Sequence, residues 1–486
     1  MNAHETVATL ARLGVTPRAI TADSRAVVAG GAFAAFRGAR VDGRDYIGDA
    51  IANGASAVLW DDDRFAWKPE WTVANAPVHD LRNALGDIAD FIYGSPSEAL
   101  EVIGVTGTNG KTSCAHWIAA LLDRPGRRAA LMGTLGNGFV GALDASPNTT
   151  PDAARLQATL AGLRDAGAAC VAMEVSSHGL DQGRVNGVRF AVALFTNLTR
   201  DHLDYHGSMA AYGAAKAKLF AWPGLRAAVV NVDDAFGQRI ADDVRARGDV
   251  ELITYGRIAG DVHASAATTG EGGIALEVAT PKGGGTVRTA LVGEFNVMNL
   301  LGTLGVVLAA GMPLDEALAG MARLAPPPGR MQRLGGHGRP TVVVDYAHTP
   351  DALEKALEAL RPVVVEGGAL VAVFGAGGDR DPGKRTEMGA VAARLADRVV
   401  VTNDNPRGED PQAIANAIAR GVLEAGSRRY AIELDRAKAI RAAIAAADVG
   451  DVVLVAGKGH EAYQEANGVR SPFDDVEIAS GALANR

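Results

Sequence analysis

The most chemically suggestive stretch of the chain is Gly104-Val105-Thr106-Gly107-Thr108-Asn109-Gly110-Lys111-Thr112, which closes the apolar run Glu101–Val105 and precedes a helical run, Ser113–Leu122. Glycines in such a turn let backbone N–H groups approach phosphate, and a lysine reaches the outer phosphates. A threonine hydroxyl is a hard oxygen for Mg²⁺, and the next helix offers its N-terminus to the anion. The chemistry indicated is the binding of a nucleoside triphosphate by Gly107, Thr108, Asn109, Gly110, Lys111, Thr112 and Ser113. The usual spacing G-x-x-x-x-G-K-[ST] asks for glycine at 105, where Val105 stands with Gly104 and Gly107 on either side. The loop is a G-x-x-G-x-x-G-K-T variant, unlike that of ordinary GTPases.

Two further polar clusters follow apolar runs. Glu174-Val175-Ser176-Ser177-His178 succeeds Cys170–Met173, so Glu174 falls at the carboxyl end of a strand, where a carboxylate can meet Mg²⁺ and phosphate. Thr196-Asn197-Leu198-Thr199-Arg200-Asp201-His202 continues Ala191–Phe195, and the loop runs on through Asp204, Tyr205 and His206. That density of donors exceeds what packing asks for. Lys216 and Lys218, in the following helical segment, are by spacing alone most simply exposed helical cations.

The elements that must hold these groups are short apolar runs: Ala57–Trp60, Glu101–Val105, Cys170–Val175, Ala191–Phe195, Ala227–Val232, Thr341–Val344, Leu370–Phe374, Arg398–Val401 and Val452–Val455. Most run into Gly-, Asn- or Asp-rich turns and then Ala-rich helical stretches, the alternation of parallel α/β sheets. Tyr93-Gly94-Ser95-Pro96 and Pro326-Pro327-Pro328-Gly329 are boundary punctuation and divide the chain into 1–96, 97–328 and 329–486. Gly260–Val292 reads as a small antiparallel excursion inside the middle unit. A length of 486 residues suits such a division, since one core stops growing at about 250–300 residues.

Composition excludes several classes. Net charge is −8, from 48 basic and 56 acidic residues, which gives no general attraction for nucleic acid or an anionic membrane. No apolar stretch is long enough to span a bilayer, and the start, with His4, Glu5 and Arg12, does not read as a signal peptide. Cys114 and Cys170 lie far apart and form no disulfide framework. A cytoplasmic monomer that neither binds nucleic acid nor inserts into membrane is expected.

Together the motifs resemble the Mur ligase family over nearly the whole chain. Gly293-Glu294-Phe295-Asn296-Val297-Met298-Asn299 is similar to its nucleotide-contacting loop, Gly329-Arg330-Met331 to its hinge, and Asp345-Tyr346-Ala347-His348-Thr349-Pro350 to its C-terminal signature. The resemblance implies an N-terminal UDP-binding domain, a central P-loop-type ATPase domain and a C-terminal Rossmann-like domain. It adds Asn296, Asn299, Arg330, Asp345 and His348 to the ATP contacts. It gives Lys216, within Tyr-x-Ala-Ala-Lys, the part of a carbamylated lysine, and it implies two Mg²⁺ ions held by Thr112, Glu174, His202 and Lys216. Lys111, Glu174, His202 and Lys216 would form the catalytic set.

The resemblance also implies the substrates. Asp23-Ser24-Arg25, with Gly30 and Phe33, is similar to the uridine-binding stretch, and the muramoyl-peptide contacts map onto Thr149, Thr150, Ser176, Gln182 and Arg184. Gly377-Gly378-Asp379-Arg380, Asp404-Asn405-Pro406-Arg407 and Gly457-Lys458-Gly459-His460-Glu461 resemble the branch that adds meso-diaminopimelate to UDP-N-acetylmuramoyl-L-Ala-D-Glu. In that branch Arg380, Asn405 and Arg407 would hold a carboxylate and Glu461 the distal ammonium, with Asp404, Pro406 and Gly457 beside them. The lysine-adding counterpart is disfavoured because lysine lacks the carboxylate that Arg407 would grip. The base that deprotonates the incoming amine stays open between His178 and His348.

Overall fold

Val102, Ile103 and Val105 show why the central strands are apolar throughout: Ile103 and Val105 enter the core on one face of the sheet and Val102 the core on the other. A parallel strand covered by helices on both sides has no polar face to alternate with. The computed structural model describes residues 3–486 except 39, 40, 147, 271 and 337. Three α/β sheets follow one another along the chain.

The first sheet has four parallel strands in chain order, Ile20–Thr21, Ala32–Ala35, Ala57–Asp61 and Ala74–Val78. The polar start of the chain is a helix, Ala3–Arg12, whose Val7 and Leu10 are buried; Met1 and Asn2 lie outside the described residues.

The second sheet is built around Glu101–Thr106, which is flanked by Ala168–Glu174 on one side and Phe190–Phe195 on the other, all parallel. Strands Arg128–Gly133, Ala227–Asn231 and Glu251–Gly256 extend the parallel part outward. The predicted runs through Val175 and Val232 thus stop one residue earlier, and the helix after the phosphate loop starts at Lys111 rather than Ser113. Val262–Gly270, Gly273–Thr280 and Gly283–Thr289 form the expected antiparallel ribbon, with Glu271 outside the described residues. The ribbon continues one edge of the sheet, since Tyr255 pairs with Val262. The opposite edge carries Gly136–Phe139 and Ala142–Asp144, which the apolar-run criterion missed because the first is glycine-rich and the second is three residues long and largely exposed.

The third sheet runs Gln332–Gly335, Thr341–Asp345, Val452–Ala456, Leu370–Phe374, Arg398–Val401, Tyr430–Ile432, and only its first strand is antiparallel. A separate hairpin, Tyr463–Ala466 with Val469–Pro472, stands beside it. In both larger sheets the chain reverses its direction of strand addition at an inner strand, so several carboxyl ends open onto one crevice. Ligands of open α/β sheets bind at such places. Among the described residues no helix is long and apolar enough to cross a membrane.

Candidate functional site

The phosphate loop joins strand Glu101–Thr106 to helix Lys111–Leu122, and its shape demands glycine at two points. Gly107 (φ 148°) and Gly110 (φ 87°) adopt conformations that side chains disfavour. A Cβ on the first would lie 1.8 Å from Thr196 Oγ1, and one on the second 2.4 Å from Asn299 Oδ1. Lys111 Nζ donates to the carbonyls of Gly107 (2.9 Å) and Thr108 (2.8 Å), and burial lowers its pKa despite the nearby Glu174 and Asp201.

Glu174 ends the neighbouring strand and is 1% exposed. Its Oε2 accepts from Thr112 Oγ1 at 2.9 Å and Thr134 Oγ1 at 3.2 Å, and its Oε1 from the Thr134 N–H at 2.7 Å. Arg330 Nη2 donates to Thr112 Oγ1 at 3.0 Å. A hydroxyl and a carboxylate meeting at the phosphate loop are a donor set that suits Mg²⁺, which uses one or two protein oxygens and takes the rest from phosphate and water. Among the described residues no group of three or more His, Cys, Asp or Glu converges on a metal position, so phosphate and water would have to complete the shell.

The helix Met209–Ala217 separates the two lysines that spacing could not. Lys216 is 1% exposed, its Nζ donates to the Gly107 carbonyl at 2.7 Å and lies 4.3 Å from the centre of the Tyr212 ring. Burial and the charge of Lys111 hold its pKa well below the ordinary lysine value. Lys218 is exposed and paired with Asp181 at 3.0 Å. As an amine Lys216 is no Mg²⁺ ligand; a carbamate at that nitrogen would be.

His202 sits in the left-handed region (φ 53°), stabilised by its N–H donating to Asp201 Oδ1 at 2.8 Å. Its ring stands edge-on to His178 at 4.8 Å, and burial pushes it down to about 4 against the pull of Asp201. His178 and His348 are both lowered, in each case mainly by burial, so both are neutral near pH 7.

A cavity of about 560 Å³ opens above the loop, lined by Asn109, Gly110, Ser113, Asn296, Asn299, Arg330, Asp345 and His348, with Trp117, Tyr255 and Phe295 as apolar wall. Gly107 and Thr108 lie in the loop, and Lys111 and Thr112 in the first turn of the helix, that carry the lining residues Asn109, Gly110 and Ser113. Asn299 Nδ2 donates to Asn296 Oδ1 at 3.0 Å, while Arg330 lies 4.5 Å from the Tyr346 ring centre. Asp345 accepts from the Met331 N–H at 2.7 Å, and its pKa is raised by burial.

A second cavity of about 590 Å³ shares Tyr346 and His348 with the first, so the two meet at those residues. Arg380, Asp404, Asn405, Arg407, Gly457 and Glu461 line it together with His178, His202 and Lys384. Pro406 is in the same loop behind them: a Cβ on Gly378 would come 1.9 Å from its carbonyl oxygen. Arg407 Nη1 donates to the Gly378 carbonyl at 2.8 Å. The Arg385–Glu409 pair (2.8 Å) braces the same two loops, with Glu409 also accepting from the Asp379 N–H at 2.6 Å. Asn405 is 2% exposed, and its amide is engaged by Glu461, Lys458 and the Glu465 N–H, so its side chain organises the wall from within.

Thr150, Ser176, Gln182 and Arg184 are linked in one chain: Arg184 donates to the Thr150 carbonyl (2.9 Å) and to Gln182 Oε1 (2.7 and 2.9 Å), and the Ser176 N–H to Thr150 Oγ1 (3.0 Å). Thr149 joins them to the carboxylate through Thr134, hydroxyl to hydroxyl at 3.0 Å. Ser24 lies apart, in a short 3-10 turn, Ser24–Ala26, beside the first sheet, with its carbonyl accepting from Asn53.

Sequence reasoning passed over Thr134, Lys384, Asp351 and Lys458. Thr134 follows the strand Arg128–Gly133, so the strand-end criterion that found Glu174 would have found it. Asp351, in the first turn of a helix, looks like a cap, yet it accepts from Asn109 Nδ2 at 2.9 Å and Thr199 Oγ1 at 3.3 Å, tying the third sheet's domain to the phosphate loop. No spacing marked Lys384 or Lys458.

Three stretches match known domains: residues 17–93 the Mur ligase family catalytic domain, 105–307 the Mur ligase middle domain and 329–459 the Mur ligase glutamate ligase domain. A UDP-N-acetylmuramoyl-L-alanyl-D-glutamate–2,6-diaminopimelate ligase of Chromobacterium violaceum is 54% identical over 98% of this chain and 96% of its own length. One of Pseudomonas aeruginosa is 52% identical over 96% and 95%. A solved structure of a ligase of that name superposes with a TM-score of 0.69 at 37% identity, covering 96% of this chain and 95% of its own. With three matching domains in series and relatives at about half identity over nearly its whole length, the chain belongs to the Mur ligase family.

Proposed function

We propose that this protein joins meso-diaminopimelate to the D-glutamate of UDP-N-acetylmuramoyl-L-Ala-D-Glu at the expense of ATP, releasing ADP and phosphate. The observation that carries it is the meeting of two cavities at Tyr346 and His348, one above the phosphate loop and the other walled by Arg380, Arg407 and Glu461. Relatives at about 50% identity bear that activity in their names.

Amide formation from a free carboxylate is uphill in water, so the acid has to be activated. A γ-carboxylate oxygen of D-glutamate attacks the γ-phosphorus of ATP, the bond to the β-phosphate oxygen breaks, and ADP departs from an acyl phosphate. Such a step is accelerated chiefly by alignment and charge neutralisation. Lys111 leaves the loop carbonyls it now caps and reaches the phosphates. Thr112, Glu174, His202 and a carbamylated Lys216 would hold two Mg²⁺ ions, which when bound neutralise the oxygens of the transferring group. The depressed pKa of Lys216 favours the neutral amine, the form that takes up CO₂.

The amine of diaminopimelate then attacks the acyl carbon, gives up a proton, and the carbon–oxygen bond to phosphate breaks. His178 and His348, neutral imidazoles on the cavity wall, are the groups available for that proton. Arg380 and Arg407 would take the distal carboxylate as planar, bidentate donors. Thr149, Thr150, Ser176, Gln182 and Arg184 would seat the muramoyl peptide near Glu174, and Ser24 the uridine end. On this proposal the units 1–96, 97–328 and 329–486 bind the UDP-sugar, ATP and the amino acid, and the enzyme works as a cytoplasmic monomer.

Phosphate release with ATP, Mg²⁺ and UDP-N-acetylmuramoyl-L-Ala-D-Glu tests the proposal. Release is expected with meso-diaminopimelate and not with L-lysine or no amino acid. Release with lysine alone would overturn the choice of amino acid, and silence with both would overturn the reaction.

A further inference from the structure

Lys458 is a lysine with no exposed side-chain surface, placed in the loop between Gly457 (φ 118°) and Gly459 (φ 54°). A buried ammonium is expensive unless it is paired and hydrogen-bonded, so its partners show what it is for. Its Nζ donates to Glu461 Oε2 at 3.1 Å and to Asn405 Oδ1 at 3.0 Å, and lies 5.3 Å from the centre of the Tyr463 ring. Asn405 closes the triangle by donating from Nδ2 to the same Glu461 Oε2 at 2.8 Å.

Both donors fall on one oxygen. Among the described residues Oε2 of Glu461 takes the ammonium and the amide, and Oε1 accepts from no protein donor. Glu461 lines the second cavity and keeps 17% of its side chain exposed. A carboxylate free to rotate would offer either oxygen in many directions; one whose Oε2 is fixed from behind presents the other along a single direction.

We propose that Lys458 is a positioning residue that tunes selection of the incoming amino acid without touching it: by fixing Oε2 of Glu461 it aims Oε1 at the substrate's distal ammonium. The inference rests on the function proposed above. It assigns Lys458 to recognition of the amine, apart from the carboxylate gripped by Arg380 and Arg407.

The test compares meso-diaminopimelate with 2-aminopimelate, which keeps the distal carboxylate and lacks the distal amine. In K458M the wild-type preference for diaminopimelate should shrink about 10- to 100-fold, the scale of a charge-assisted hydrogen bond, through a higher KM for diaminopimelate. KM for ATP and for 2-aminopimelate should stay put. K458M added to E461Q should cost nothing further, because both act through one carboxylate. If K458M does not purify folded, K458R, which keeps the cation and displaces its geometry, should move the preference the same way by less. An unchanged preference in the folded variant, or penalties that add in the double variant, would overturn the proposal. A wild-type enzyme inert with diaminopimelate would instead remove the function on which it rests.

Discussion

The phosphate loop and the wall of the second cavity are shaped by opposite means. The loop is one contiguous stretch whose geometry is set by backbone, with Gly107 and Gly110 packed against Thr196 and Asn299 so closely that no side chain fits. The wall gathers three loops, Gly377–Arg380, Asp404–Arg407 and Gly457–Glu461, which follow three neighbouring strands of the third sheet. Side chains hold it: Arg385 to Glu409, Lys458 to Glu461, Arg407 to the Gly378 carbonyl. Nucleotide phosphates are alike in all such enzymes and can be met by backbone N–H groups, whereas discriminating one amino acid from another needs charges in a particular arrangement. A region that must bind a common group can be built locally; one that must discriminate is assembled from afar.

Three experiments would break or sharpen that contrast. The largest effect is expected from Lys111→Ala, which should lower kcat for phosphate release about a thousandfold or more, the scale of losing a preorganised cation at a transferring phosphoryl group. Diaminopimelate should protect the folded variant and the wild type equally against thermal unfolding. Loss of that protection would mean that the two regions are not separable.

Arg407→Ala should act on the other side, raising KM for diaminopimelate about 10- to 100-fold, as expected for a charge-assisted contact, with KM for ATP unmoved. A rise in both constants would show that the wall also shapes the nucleotide end, through Tyr346 and His348, which line both cavities.

The smallest effect is on stability. His460 is pushed down to about 4, mainly by burial and further by the charge of Arg330. Its folded pKa lies below the unfolded value of about 6.5, so the unfolded chain protonates first as pH falls. The contribution is complete above about 6.5 and is lost as pH drops toward 4. The melting temperature should therefore fall from pH 7 to pH 5, and less steeply in His460→Asn. Equal slopes would show that the proton goes elsewhere.

Much of this architecture was legible in the chain. The runs Leu370–Phe374 and Arg398–Val401 are strands at the predicted residues, because a buried parallel strand is marked by continuous aliphatic content. The glycine-rich strand Gly136–Phe139, one in from the edge of the second sheet, left no such mark. Among the site residues Glu174 was legible from its place at a strand end. Asp351 was not, because a helix-capping aspartate and one that binds another domain's loop have the same local sequence.

The sequence by itself determined the phosphate loop, the run of three α/β units and the residue types of the second cavity, since backbone conformation and hydrophobic periodicity are local properties. Only the tertiary structure decided which of Lys216 and Lys218 is buried at the Gly107 carbonyl, and that Asn405 and Lys458 both donate to one oxygen of Glu461. Burial and hydrogen-bond partnership are set by residues distant in the chain, and those are what turn a lysine from a solvated cation into part of a site.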